Sequence, residues 1–124
     1  MTDTKKPADR DLQIVARVQS IYASKELGKI RDAHEGKKSL TVQIGAFSVQ
    51  YEPLPFSGMT AFPAGFVIGR EAFASEDELK KTLLHEVYRL SSSAIGRGGG
   101  ADPETIRAET NAAFHFAEQF HRLV

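Results

Sequence analysis

The stretch SLTVQIGAFSVQYEP, Ser39 to Pro53, alternates apolar and polar residues twice, with a change of parity between the halves. Leu40, Val42 and Ile44 fall on one parity; Phe47, Val49 and Tyr51 fall on the other. A period of two marks a strand with one buried face, and a slip of one residue turns every side chain to the opposite face. The switch at Gly45 therefore requires either a bulge or a tight hairpin.

The rest of the chain can be placed around this pair of strands. Residues 1–8 read as a disordered lead, and residues 9–124 as a single domain. From Asp9, Leu12, Val15, Val18, Ile21 and Tyr22 recur at helical spacing, which predicts one helix ending at about Leu27 or, as the alternative, at His34. Gly36 to Ser39 is a turn. Pro53 to Gly65 carries three prolines, two glycines, Met59 and two phenylalanines, and reads as an apolar loop. Its aromatics either cap the core or cover a substrate. Phe66 to Arg70 is a short strand. Ser75 followed by Glu78 forms a capping box that starts a helix to about Ala94. GRGGGAD then breaks the chain, and Asp102-Pro103 caps a last helix that runs to the C-terminus. The expected fold is α+β: an N-terminal helix, a small antiparallel sheet and two packed C-terminal helices.

Composition excludes several classes of function. The chain of 124 residues has no cysteine, which removes disulfides, thiolate catalysis and cysteine-ligated zinc. Sixteen basic residues balance sixteen acidic ones, so bulk charge draws the chain neither to nucleic acid nor to an anionic membrane. No apolar run reaches the length of a membrane span. The start, MTDTKKPADRD, lacks the apolar segment of a secretory signal and fits a domain cut from a longer protein.

The chemistry concentrates in TLLHEVYRL, Thr82 to Leu90. On this helix Leu83, Val87, Leu90 and Ala94 form an apolar stripe, broadened by Leu84 and Tyr88. Thr82, His85, Glu86, Arg89 and Ser93 share another side, which taken alone reads as a solvated face with an intrahelical Glu86–Arg89 pair. On the final helix Ile106, Ala113, Phe116, Ala117 and Phe120 mark the buried stripe, and Glu109 falls on it. A buried carboxylate needs a partner. The spacing predicts that Glu109 meets Arg89 and His85, as a structural ion pair or as part of an active site.

His85-Glu86 with Glu109 further along resembles the gluzincin metallopeptidases, in which H-E-x-x-H on one helix is completed by a glutamate on the next. That resemblance covers roughly Phe66 to Phe120 and implies zinc on His85 and Glu109 with Glu86 as general base. Arg89 stands where the second histidine belongs, and a guanidinium cannot ligate zinc. His115 and His121 are the other histidines on the last helix. No metal ligand and no cofactor is therefore assigned. HEVYRLSSS, the glycine-rich break and ETNAAFHFAEQF are similar to the C-terminal toxin domains of bacterial polymorphic toxins of the contact-dependent-inhibition and Rhs types. This second resemblance implies a small monomeric domain, released from a larger secreted or surface protein into the target-cell cytoplasm and neutralised by a cognate immunity protein. Many such domains are nucleases.

The residues also suit metal-free RNA cleavage, which needs a base, an acid and a cation for the phosphorane. His85 can exchange a proton, Glu86 or Glu109 can partner it, Arg89 can hold phosphate, and Thr110 can orient them. The candidate catalytic residues are thus His85, Glu86, Arg89, Glu109 and Thr110. Other segments read as bland: RGGGAD as a linker, Lys37-Lys38 as solvated turn, and Phe114, Phe116 and Phe120 as core. The expectation is a toxin domain with a metal-independent hydrolytic site, an RNase first. A divergent zincin-like metallopeptidase and a non-enzymatic binding module are the alternatives.

Overall fold

The computed structural model of the chain describes residues 9–61, 64–91 and 102–124. Two helices open it, α1 (Asp9–Tyr22) and α2 (Lys25–Gly36), where the apolar periodicity predicted one. The break has a local cause. Ser24 adopts an extended backbone and its hydroxyl accepts from the Leu27 amide at 3.2 Å, capping α2. The same hydroxyl donates to the Ile21 carbonyl at 2.7 Å, satisfying the end of α1. Ile14, Val15, Val18 and Ile21 on α1, with Leu27, Ile30 and Ala33 on α2, are buried.

The parity switch is a hairpin. Strands β1 (Leu40–Ile44) and β2 (Phe47–Tyr51) pair antiparallel, with Leu40 opposite Tyr51, Val42 opposite Val49 and Ile44 opposite Phe47. Across this two-residue turn the paired residues share one face, so both alternating sets point the same way. Gly45 takes a positive φ of 60°, which a side chain would resist.

The sheet is mixed rather than antiparallel, and it has one strand more than expected. Within the segment expected to be a loop, Gly58–Ala61 forms β3; the chain returns as β4 (Gly65–Ile68). The order is β1-β2-β4-β3, so β4 inserts between β2 and β3. Insertion after a reversal forces β4 parallel to β2 and antiparallel to β3. The apolar character of β4 fits its central place, with Gly65, Phe66 and Ile68 buried. Of the two aromatics in the proline-rich segment, Phe56 is half-buried and Phe62 lies outside the described residues.

A 3₁₀ turn, Arg70–Ala74, leads into α3 (Glu76–Leu90), whose first turn is capped by Ser75 accepting from the Glu78 amide at 3.0 Å. Helix α4 (Pro103–Phe120) starts at Asp102, which accepts from the Thr105 amide at 2.7 Å. The two C-terminal helices pack together, and α3 also packs on α1 and on β3. Leu79, Leu83, Leu84 and Val87 on α3 are completely buried, in one core with Val49, Phe66, Ile68, Phe116 and Phe120. Helix α3 closes at Ser91, so the expected continuation to Ala94, Ser93 included, and the glycine-rich break fall outside the described residues. No helix among the described residues is long and apolar enough to cross a membrane.

Candidate functional site

The polar side of α3 is not a solvated face. Thr82, His85 and Glu86 are only 6%, 9% and 2% exposed, because β3 and α4 cover them. Glu86 is the most constrained. Its Oε1 accepts a hydrogen bond of 2.6 Å from the Thr60 hydroxyl on β3. A Cβ on Gly58 would stand 2.8 Å from Glu86 Oε2 and 2.9 Å from Thr82 Cγ2, so only glycine lets the strand lie this close. Burial pushes the Glu86 carboxyl up, while the Thr60 hydroxyl and then the Arg89 charge pull it partly back.

His85 sits one residue earlier and meets α4. Its ring lies 4.4 Å from that of Phe114, tilted by 53°. Burial first, and the Arg89 charge second, lower its pKa to about 4, so the imidazole is neutral at pH 7. Its Nδ1 is buried without a hydrogen-bond partner among the described residues.

Both side chains open onto a cleft of about 170 Å³ between α3, α4 and the start of β3. Glu78 and Lys81 on α3, Phe114 and Glu118 on α4, and Ser57 and Gly58 complete most of its wall. Lys81 pairs with Glu118 at 3.2 Å and ties the two helices together beside the cleft. Phe114 keeps 59% of its surface exposed, whereas Phe116 and Phe120 are buried.

The five residues predicted to form the site separate into two groups. His85 and Glu86 line the cleft. Arg89 is half-buried and does not line it, yet its charge lowers the pKa of both His85 and Glu86. Its Nε is buried and, among the described residues, makes no hydrogen bond. Glu109 and Thr110 are half-buried, outside the cleft, and unbonded to His85 or Arg89 among the described residues. The expected Arg89–Glu109 ion pair is therefore not formed. The buried stripe of α4 comprises Ala113, Phe116, Ala117 and Phe120, and Ile106 is 41% exposed. The buried stripe ends before Glu109, which is half-buried and pairs with no cation among the described residues.

Thr60, Gly58, Glu78, Lys81, Phe114 and Glu118 escaped the sequence reading. Only Glu78 carried a signal, as the last residue of the capping box. Phe114 had been grouped with its buried neighbours. His115 is exposed, and His121 Nδ1 meets the Glu118 carbonyl at 3.1 Å. Among the described residues no three His, Asp or Glu side chains converge where they could hold a metal ion. Comparison with known protein families, with curated proteins and with solved structures finds no match for this chain.

Proposed function

We propose that this chain is a bacterial toxin domain whose α3 cleft carries out metal-independent cleavage of RNA. One observation carries the chemical part: His85 Nδ1 and Arg89 Nε, one helical turn apart on α3, are buried without partners among the described residues. Buried polar atoms are almost always paired, and those left unpaired call for a ligand or a catalytic role. A phosphate group supplies what both lack. It sits on the Arg89 side of His85, beside the cleft that Arg89 does not line, and accepts from the guanidinium, while its charge raises the proton affinity of a histidine that is neutral beforehand.

The reaction needs only groups of this chain. His85 takes the proton from a ribose 2′-hydroxyl, whose oxygen then bonds to the adjacent phosphorus. Arg89 balances the charge that gathers on the phosphorane oxygens. Glu86, whose carboxyl burial pushes towards the protonated form, gives its proton to the departing 5′-oxygen as the phosphorus–oxygen bond breaks. The products are a 2′,3′-cyclic phosphate and a free 5′-hydroxyl, and water then opens the cyclic ester. Glu109 and Thr110 take no step in this scheme.

The toxin part rests on the similarity of HEVYRLSSS and ETNAAFHFAEQF to polymorphic-toxin tails. With it go delivery by a larger carrier into a target cell, action as a monomer and neutralisation by a cognate immunity protein. Expression of the chain in bacteria, with total RNA examined, tests the whole reading. Wild-type protein arrests growth and fragments RNA, and His85→Ala does neither. Arrest with intact RNA would remove the nuclease assignment.

One observation favours a second reading, a divergent zincin-like peptidase. Strand β3 is at the edge of the sheet, and its Gly58 and Thr60 adjoin Glu86. An extended peptide could pair with that edge and lie across His85 and Glu86. Proteolysis of a denatured protein substrate by wild-type chain, absent in Glu86→Gln, would establish this reading in place of the first.

A further inference from the structure

We propose that the cleft beside His85 is a nucleobase pocket, with Phe114 as its stacking platform and Glu78 as the acceptor that selects guanine. The proposal rests on the RNA reading for the class of substrate and adds which nucleotide is held. Phe114 is 59% exposed at the wall of the cleft, on a helix whose other large aromatics are buried. Its ring lies 4.4 Å from the neutral imidazole of His85, whose Nδ1 is buried and unpartnered among the described residues. An exposed ring beside an unsatisfied polar atom lacks both a flat apolar partner and a hydrogen bond. A base supplies the face, and the nucleotide that carries it supplies the polar group.

The charges of the wall choose among the bases. Lys81 is occupied by Glu118 at 3.2 Å, which leaves Glu78 as the half-buried carboxylate of the cleft without a partner among the described residues. A carboxylate accepts hydrogen bonds and donates none. Guanine presents N1–H and an amino group side by side, two donors that fit the two oxygens of one carboxylate. Adenine and cytosine offer an amino group next to an acceptor nitrogen, and uracil flanks its one N–H with two carbonyl oxygens that repel the carboxylate. The order expected is guanine, then adenine and cytosine, then uracil. A cleft of about 170 Å³ is small beside pockets for drug-sized ligands and admits one base that has left its stack.

The test uses the full wild-type chain and the four nucleoside 3′-monophosphates as probes, which carry no 5′-oxygen leaving group and so bind without turnover. Proton NMR of the Phe114 ring reports stacking, and titration gives affinity. Guanosine 3′-monophosphate should shift the Phe114 resonances and bind at least tenfold tighter than uridine 3′-monophosphate. Phe114→Ala should weaken guanosine monophosphate about tenfold, the loss of one base–aromatic stack. Glu78→Gln should remove most of the preference for guanine, with circular dichroism confirming that both variants fold. Equal binding of all four nucleotides, or an unchanged affinity in Phe114→Ala, would overturn the proposal. So would Phe114 shifts produced by a lysine amide and not by nucleotides, since the cleft would then hold a basic peptide side chain. The two levels separate in wild-type protein. RNA cut evenly at all four bases and unchanged by Phe114→Ala sinks the pocket while the nuclease stands. Guanosine monophosphate bound as described, with RNA left intact, sustains the pocket while the nuclease falls.

Discussion

The Thr60 hydroxyl on the edge strand β3 donates to Glu86 on α3 at 2.6 Å, and this bond joins the last strand of the sheet to the helix that carries the candidate site. Gly58, two residues earlier, brings the strand backbone against the same carboxyl. The sheet edge thereby sets where Glu86 points and how little water reaches it. Glu86 has three influences on its proton: burial, Thr60 and Arg89. Two of these come from outside its own turn of helix, so its protonation is a property of the tertiary fold.

Removal of the Thr60 hydroxyl with its shape kept, as in Thr60→Val, should leave Glu86 less well satisfied and raise its carboxyl pKa further. The expected loss is about 1–3 kcal/mol of stability at pH 7, the range for a buried polar group left without its partner. Urea unfolding at pH 7 measures it. A loss below about 0.5 kcal/mol would mean that water replaces the hydroxyl without cost.

A side chain at Gly58 should be worse tolerated than one at Gly28, where an added Cβ meets nothing within 4 Å. Gly58→Ala forces Glu86 or Thr82 to move, at roughly 1–3 kcal/mol for an overpacked site. Gly28→Ala should stabilise α2 by up to about 1 kcal/mol. Thermal unfolding of the two variants, side by side, checks both signs.

His85 makes stability depend on pH. Its folded pKa, about 4, lies below the ordinary value of 6.5, so between these limits the unfolded chain binds the extra proton. Stability is fully present above pH 6.5 and falls as pH drops towards 4. At about 1.4 kcal/mol per pH unit, the loss over this span is about 3 kcal/mol. Urea midpoints from pH 7 to 4 should fall more steeply for wild type than for His85→Gln. Parallel curves would show that the imidazole titrates as it does in water.

The sequence disclosed these features unevenly, for physical reasons. The two strands and the break at Gly45 were legible, as a bulge or a hairpin, because a period of two and a glycine act locally, and both helix caps were legible because a serine or aspartate bonds within three residues of itself. Strand β3 was not, since GMTA has neither alternation nor β-branched density, and its pairing with β4 is what makes it a strand. The break at Ser24 was hidden because Ile21 and Leu27 continue the helical pattern on either side of the cap. His85 and Glu86 stood out by spacing. Their burial did not, because polar residues on one helix face read as solvated until the covering strand is placed. Glu109 misled for the opposite reason: its stripe position was correct, but the first turns of α4 project beyond the core, where Ile106 is also exposed.

Glu109 and Arg89 should therefore behave as independent sites. Glu109→Gln is expected to change stability by less than about 0.5 kcal/mol, as surface substitutions do. Arg89→Lys keeps the charge but loses the planar fork, so it should fold normally and lose RNA cleavage. Thermal unfolding with a cleavage assay on each variant separates the two roles. A loss of 3 kcal/mol or more in Glu109→Gln would indicate the buried pair that the spacing first suggested.

A second acidic transition should be separable from that of His85. Glu76, the first residue of α3, receives two hydrogen bonds from Arg31 on α2, at 2.8 and 2.9 Å, and one from the Tyr22 hydroxyl on α1. The hydrogen bonds from Arg31, then that from Tyr22, lower its pKa from 4.5 to about 2. The unfolded chain binds the proton first, so this contribution is complete above pH 4.5 and is lost as pH falls towards 2. The Glu76 side chain is 57% exposed, so water and salt screen it and its effect on stability is small. The expected signature is a shallow slope below pH 4.5 that vanishes in Glu76→Gln and weakens in 1 M salt, while the steeper slope above pH 4 remains. A Glu76→Gln protein with an unaltered acid limb would show that the three helices meet here without energetic consequence.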